Sequence, residues 1–160
     1  MKLDEKDEAI LRIIERKSGL SSRALSNMLG IPISTVHRRI KKMEKNGVIK
    51  GYKALLDYEK TERPIGCLLL VDLAEFVPGR GNIPKVKIFD SLKKFEEIEE
   101  IIEVQAANFD LVVRARFQSL RKLSEFIEEL RYVEGIEETS SAIITEETIL
   151  PPTIQFKLNR

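Results

Sequence analysis

Residues 34–45, STVHRRIKKMEK, carry five basic side chains (Arg38, Arg39, Lys41, Lys42, Lys45) against one acid, Glu44. On a helix, Val36, Ile40 and Met43 fall at spacings of four and three on one side, and Arg38, Lys41, Lys42 and Lys45 fall on the other. One face packs and the other is cationic. Ser34, Thr35, His37 and Arg38 gather at the start of this stretch, where hydroxyls, an imidazole and a bidentate guanidinium can address base edges in a major groove. Lys41, Lys42 and Lys45 suit phosphates, which add affinity and salt dependence but no sequence information. Arg39 lies nearer the packed side, which leaves two roles open: a phosphate contact or an ion pair within the domain. His37 has no carboxylate or cysteine at metal-ligand spacing.

The elements that must hold this helix precede it. Asp4 predicts an N-cap, with Asp7 three residues on and a stripe of Ile10, Leu11, Ile13 and Ile14 ending near Ser18 and Gly19. Ser21 predicts the cap of a short second helix bearing Ala24, Leu25 and Met28, stopped at Leu29, Gly30 and Ile31 before Pro32. Two short helices, a turn and a basic third helix make a helix-turn-helix pattern, with Leu11, Ile14, Leu25, Leu29, Val36 and Ile40 as its expected core. Gly47 predicts the stop of the third helix near residue 46, and Val48, Ile49, Gly51, Tyr52, Ala54 and Leu55 a following strand.

The chain as a whole narrows the classes. Residues 1–63 hold 15 Lys and Arg against 9 Asp and Glu, a net of +6; residues 64–160 hold 12 against 17, a net of −5. A basic part points to a polyanionic partner that the acidic part does not share. The single Cys67 excludes an intrachain disulfide, and no apolar run approaches the ~18 residues of a membrane span. A cytoplasmic protein is the default expectation. Nothing in the sequence pairs a nucleophile with a base, forms a phosphate-binding glycine loop or supplies a zinc-ligand set.

Residues 57–64, DYEKTERP, are polar and aperiodic and read as a linker. Beyond them come a strand at 65–73, a helix with Ile88, Phe89, Leu92 and Phe95 on one face, and a strand at 98–106. A strand at 110–117 then sets Leu111, Val113, Ala115 and Phe117 against Arg114 and Arg116. A helix capped by Ser119 and stopped by Gly135 follows, and a final strand runs over about 138–149. The order β, α, β, β, α, β predicts a ferredoxin-like sheet of four antiparallel strands with both helices on one face. Its other face should carry Ile and Val beside charge, an association surface from which a dimer is expected. The tail, 151–160, alternates and is expected to add an edge strand.

The stretches LDEKDEAIL, SSRALSNMLGI and STVHRRIKKMEKNGVIKGYKALLD, followed by the βαββαβ pattern, resemble the Lrp/AsnC (leucine-responsive and asparagine-responsive, feast/famine) transcription regulators over nearly the whole chain. The resemblance implies an α+β protein: a winged or extended helix-turn-helix DNA-binding domain with its strand at 1–56, the linker at 57–64, and an effector-sensing and oligomerisation domain at 65–150. It implies double-stranded DNA as partner and homodimers that assemble further into tetramers or octamers. It also implies an amino acid or related small molecule as effector, held between subunits, with no other cofactor. The effector candidates are Ala107, Asn108 and Asp110 in the turn between the middle strands, with Thr139 and Ser141 on the last strand. The bland alternative is that these residues satisfy their own backbone. Two positions depart from the family pattern: Pro32 stands where Ser is usual, and Ala107 where Gly is usual. If the backbone at 107 requires positive φ, Ala there is costly. Two alternatives to a sequence-specific regulator stand beside it: an architectural DNA-coating protein, and an enzyme like the sirohaem decarboxylase subunits. The basic helix and the lack of a second His weigh against the enzyme.

Overall fold

Asp4 opens the chain's first helix, α1 (Glu5–Arg16), through a capping box in which its carboxylate accepts the Asp7 N–H while the Asp7 carboxylate accepts the Asp4 N–H. The computed structural model describes residues 1–17 and 19–148, which fall into one unit built on residues 1–56 and a second of residues 57–147. Ser21 caps α2 (Ser22–Leu29) by accepting the Ala24 N–H. α3 (Ile33–Lys45) starts one residue before Ser34, with Pro32 at the N-cap and no side-chain cap. Ile10, Ile13, Leu25, Val36 and Met43 form the centre of the core, and Leu11, Leu29 and Ile40 pack around it, partly buried. Full burial of each such side chain contributes about 1.5–3 kcal/mol, enough to fix the roll of α3.

Two expectations for residues 46–64 are corrected. Gly47, at φ +69, does end α3, but no strand forms over residues 48–55, since among the described residues no other strand of this unit offers it a ladder. Tyr52 instead folds back, its hydroxyl donating to the Glu44 carboxylate at 2.9 Å. Residues 57–64 are not a bare linker. Residues Tyr58–Lys60 form a 3-10 turn, and Arg63 donates to the Glu96 carbonyl at 2.7 Å, so this segment belongs to the second unit.

The second unit has the predicted order: β1 (Ile65–Leu73), α4 (Lys85–Leu92), β2 (Ile98–Glu103), β3 (Leu111–Phe117), α5 (Leu120–Leu130) and β4 (Ile136–Ile143). The strands form one antiparallel sheet in the order β2-β3-β1-β4. Cys67, Leu69 and Val71 of β1 and Leu111, Val113, Ala115 and Phe117 of β3 form one core with Ile88 and Leu92 of α4 and Leu123, Phe126 and Leu130 of α5. Both helices therefore lie on the same face. Gly135 sits at φ +89, where a Cβ would stand 2.6 Å from Ile88, so only glycine fits between α5 and β4. β2 stops three residues short of the expected 106. β4 runs two residues earlier than expected at its start and ends at Ile143; past it the Ile144 N–H still donates to the Gly66 carbonyl, and Glu147 reaches Arg114 and Arg116 of β3. Position 149 and the edge strand expected at 151–160 lie outside the described residues.

Candidate nucleic-acid interface

The burial of Val36 and Met43 turns the opposite side of α3 outward, and Ser34, Arg38, Lys41, Lys42 and Lys45 are all exposed on it. Thr35 is half-buried at one flank. His37 is exposed at the other, beside a cleft of about 200 Å³ lined by Leu20, Ser22, Ile40 and Tyr52. Among the described residues no ion pair engages Arg38, Lys42 or Lys45. Lys41 pairs at 2.8 Å with Glu44. Glu44 is thereby spoken for: Lys41 first, then the Tyr52 hydroxyl, holds its carboxyl below the usual range. The face thus keeps its cations while its one acid is occupied. The sequence gives no sign of this role for Tyr52, which lies beyond the Gly47 stop of α3, where no regular period relates it to Glu44.

Of the two roles open to Arg39, the structure shows the ion pair within the domain. Its Nη1 donates to both Asp4 oxygens at 2.8 Å and to Asp7 at 2.6 Å. Asp7 is only 4% exposed, so Arg39 supplies charge to a carboxylate that water scarcely reaches. The α1 cap is in this way bolted to α3. The Asp7 N–H first and Arg39 next hold the Asp4 carboxyl below its usual range.

The effector candidates divide. Ala107 and Asp110 line an open cavity of about 510 Å³ with Asp72, Glu75, Lys85 and Glu137. Asn108 lines a second hollow, about 400 Å³, with Leu70, Glu138 and Ser140. Thr139 and Ser141 border neither. They pair with Val71 and Leu69 and so share the helix-side face, whereas Ser140, opposite Leu70, faces the hollow. The register of β4 is what sets Ser140 on that side. Asp110 has a structural duty as well: its carboxylate accepts the Leu73 N–H at 3.0 Å beside the register shift in β1. No non-glycine residue has positive φ among those described, so Ala107 is unstrained. Also among the described residues, no group of three or more His, Cys, Asp or Glu could hold a metal ion, and no helix is long and apolar enough to cross a membrane.

Comparison with known proteins places both units. Residues 3–50 match the winged helix-turn-helix DNA-binding family, and residues 86–154 match the Lrp/AsnC ligand binding domain. An uncharacterized HTH-type transcriptional regulator of Pyrococcus furiosus is 31% identical over 146 residues, covering 89% of this chain and 92% of its own. The HTH-type transcriptional regulator FL11 of Pyrococcus horikoshii is 30% identical over 142 residues, 89% of each chain. A transcriptional regulator of Neisseria meningitidis, solved as an L-Met complex, shares the fold at a TM-score of 0.76 and 20% identity over 98% of both chains. These relatives are regulators, which sets aside the enzyme alternative. The chain belongs to the Lrp/AsnC family of helix-turn-helix, DNA-binding transcriptional regulators.

Proposed function

We propose that this protein reads a specific, two-fold symmetric operator as a homodimer and that a small molecule of the amino-acid class modulates it. The observation that carries the reading is the solvent face of α3, where Arg38, Lys42 and Lys45 stand without ion pairs among the described residues. Ser34, Thr35, His37 and Arg38 address base edges, and Lys41, Lys42 and Lys45 address phosphates. Lys41 exchanges Glu44 for a phosphate at little cost, since exposed pairs contribute only about 0–1 kcal/mol.

Dimerisation is supported by the helix-free face of the sheet, where Leu68, Leu70, Val112 and the exposed Ile102 form an apolar strip across three strands. A dimer presents two recognition helices to half-sites about 10 bp apart or a multiple of that. The effector reading is supported by the cavity at Ala107 and Asp110, by the match to a ligand binding domain, and by a structural neighbour solved with L-methionine. Lys85 among several carboxylates suits a ligand bearing both charges. Such a ligand shifts DNA binding only as far as it prefers one assembly.

Selection of bound DNA from a random-sequence pool at two salt concentrations, followed by titration of the twenty amino acids, tests the reading. A two-fold symmetric motif whose binding responds to at least one amino acid is the expected result. Strong, salt-sensitive binding with no motif would replace a sequence reader by an architectural protein.

A further inference from the structure

On the helix-free face of the sheet, Arg116 is only 4% exposed, although its position in the strand alternation assigns it to that open side. Tyr58 covers it: the guanidinium carbon lies 3.3 Å from the centroid of the Tyr58 ring, and the Tyr58 hydroxyl donates to Glu99 at 3.2 Å. Arg116 pairs with Glu99 at 3.4 Å and with Glu147, whose other oxygen takes Arg114 at 2.9 Å. Gly66 makes the room. A Cβ there would stand 3.2 Å from the Arg116 guanidinium and 3.0 Å from Ile144, and the Gly66 carbonyl accepts the Ile144 N–H. One guanidinium thus holds both the segment entering the unit, at Tyr58, and the segment leaving it, at Glu147. Arg63, tied to Glu96, adds a second anchor to the entering segment.

We propose that Arg116 is a positioning residue for DNA binding: by clasping Tyr58 beside Glu147 it fixes the segment that joins the second unit to the first, and so limits which half-site spacings the dimer accepts. This rests on the dimeric, two-half-site reading above. If residues 57–64 were released, each subunit would gain a tether of eight residues, whose root-mean-square span is about 16 Å. That is roughly half of the ~34 Å between half-sites one turn apart. Slack of that size lowers the effective concentration of the second DNA-binding unit several-fold and blurs the spacing requirement, with no change in any DNA contact.

The test uses the full chain, wild type and the variants Tyr58→Ala, Tyr58→Phe and Arg116→Met. Each is titrated against the selected operator, the operator with about half a turn inserted (~5 bp), and a single half-site; amide exchange is followed over residues 58–63. Tyr58→Ala should keep single half-site affinity, lose roughly 3- to 10-fold on the operator, and narrow the wild-type penalty for the insertion. Amides 58–63 should exchange faster in Tyr58→Ala and Arg116→Met. Tyr58→Phe retains the ring over Arg116 and should behave as wild type on DNA. Because Tyr58 lies outside the hydrophobic core, its variants carry the test even if Arg116→Met fails to fold. Unchanged exchange, or an unchanged insertion penalty in Tyr58→Ala, overturns the clasp. Wild type that binds one half-site as tightly as two overturns the dimeric reading instead, and the clasp's role in spacing with it.

Discussion

Arg38 and Arg116 each have a second arginine within two residues in sequence and no acid nearer than six, yet Arg38 faces solvent with no ion pair among the described residues, whereas Arg116 lies under an aromatic ring between Glu99 and Glu147. The two sites show how pairing decides what a cationic cluster does. On α3 the lone acid is taken up by Lys41 and Tyr52, and the remaining cations are left for a polyanion. On the sheet, carboxylates outnumber the arginines, and Arg114 and Arg116 cement chain segments together. Net charge by region locates the first kind of site; only local geometry separates it from the second.

Breaking the α3 side should have the largest effect. Arg38→Ala is expected to remove about 1–3 kcal/mol of base discrimination, roughly 10- to 100-fold in affinity for the selected operator, with little change on random DNA. Competition binding with both DNAs checks it. Arg39 sharpens the contrast, because it lies on the same helix but behaves like the arginines of the sheet. Arg39→Ala strands the buried Asp7 carboxylate and should destabilise the first unit by about 1–3 kcal/mol, measured by denaturant unfolding, before any question of DNA contact arises. Smaller still is Lys42→Ala, which should weaken binding to all sequences alike and lower the slope of log K against log salt by about 1.

The smallest effect is on pH. Arg116 first among its causes holds the Glu147 carboxyl below the usual range, so its contribution is complete above the unfolded value of about 4.3 and fades as pH falls through the lower folded value. The thermal midpoint of the wild-type protein should therefore drop more steeply below about pH 4.3 than that of Glu147→Gln. A difference of no more than about 1 kcal/mol is expected, since Glu147, unlike Arg116, is exposed to water.

What could be read from the sequence was what acts over a few residues. The caps at Asp4, Ser21 and Ser119, the stop at Gly47 and the alternation of β3 are all local, and each stands where it was expected. The absent strand after α3 shows the limit. Val48 to Leu55 has strand-like composition, but a strand needs a partner and this unit supplies none among the described residues. Long-range pairing was equally hidden. Arg39 meets Asp4 across 35 residues, Tyr58 meets Glu99 across 41, and nothing in the spacing of DYEKTERP announces a ring that will lie over Arg116. Of the effector candidates, Ala107 and Asp110 line one cavity and Asn108 a second hollow with Ser140, whereas Thr139 and Ser141 lie on the helix side, since the register of β4 against β1 cannot be counted from the strand alone.

The central claim is that the uncommitted face of α3 reads sequence, and the ratio of affinities for the selected operator and for random DNA, in wild type and in Arg38→Ala, tests it most directly. The predicted result is a wild-type ratio of roughly 10³ or more that falls about 10- to 100-fold in Arg38→Ala while random-DNA affinity changes little. A ratio unchanged by the substitution would contradict it.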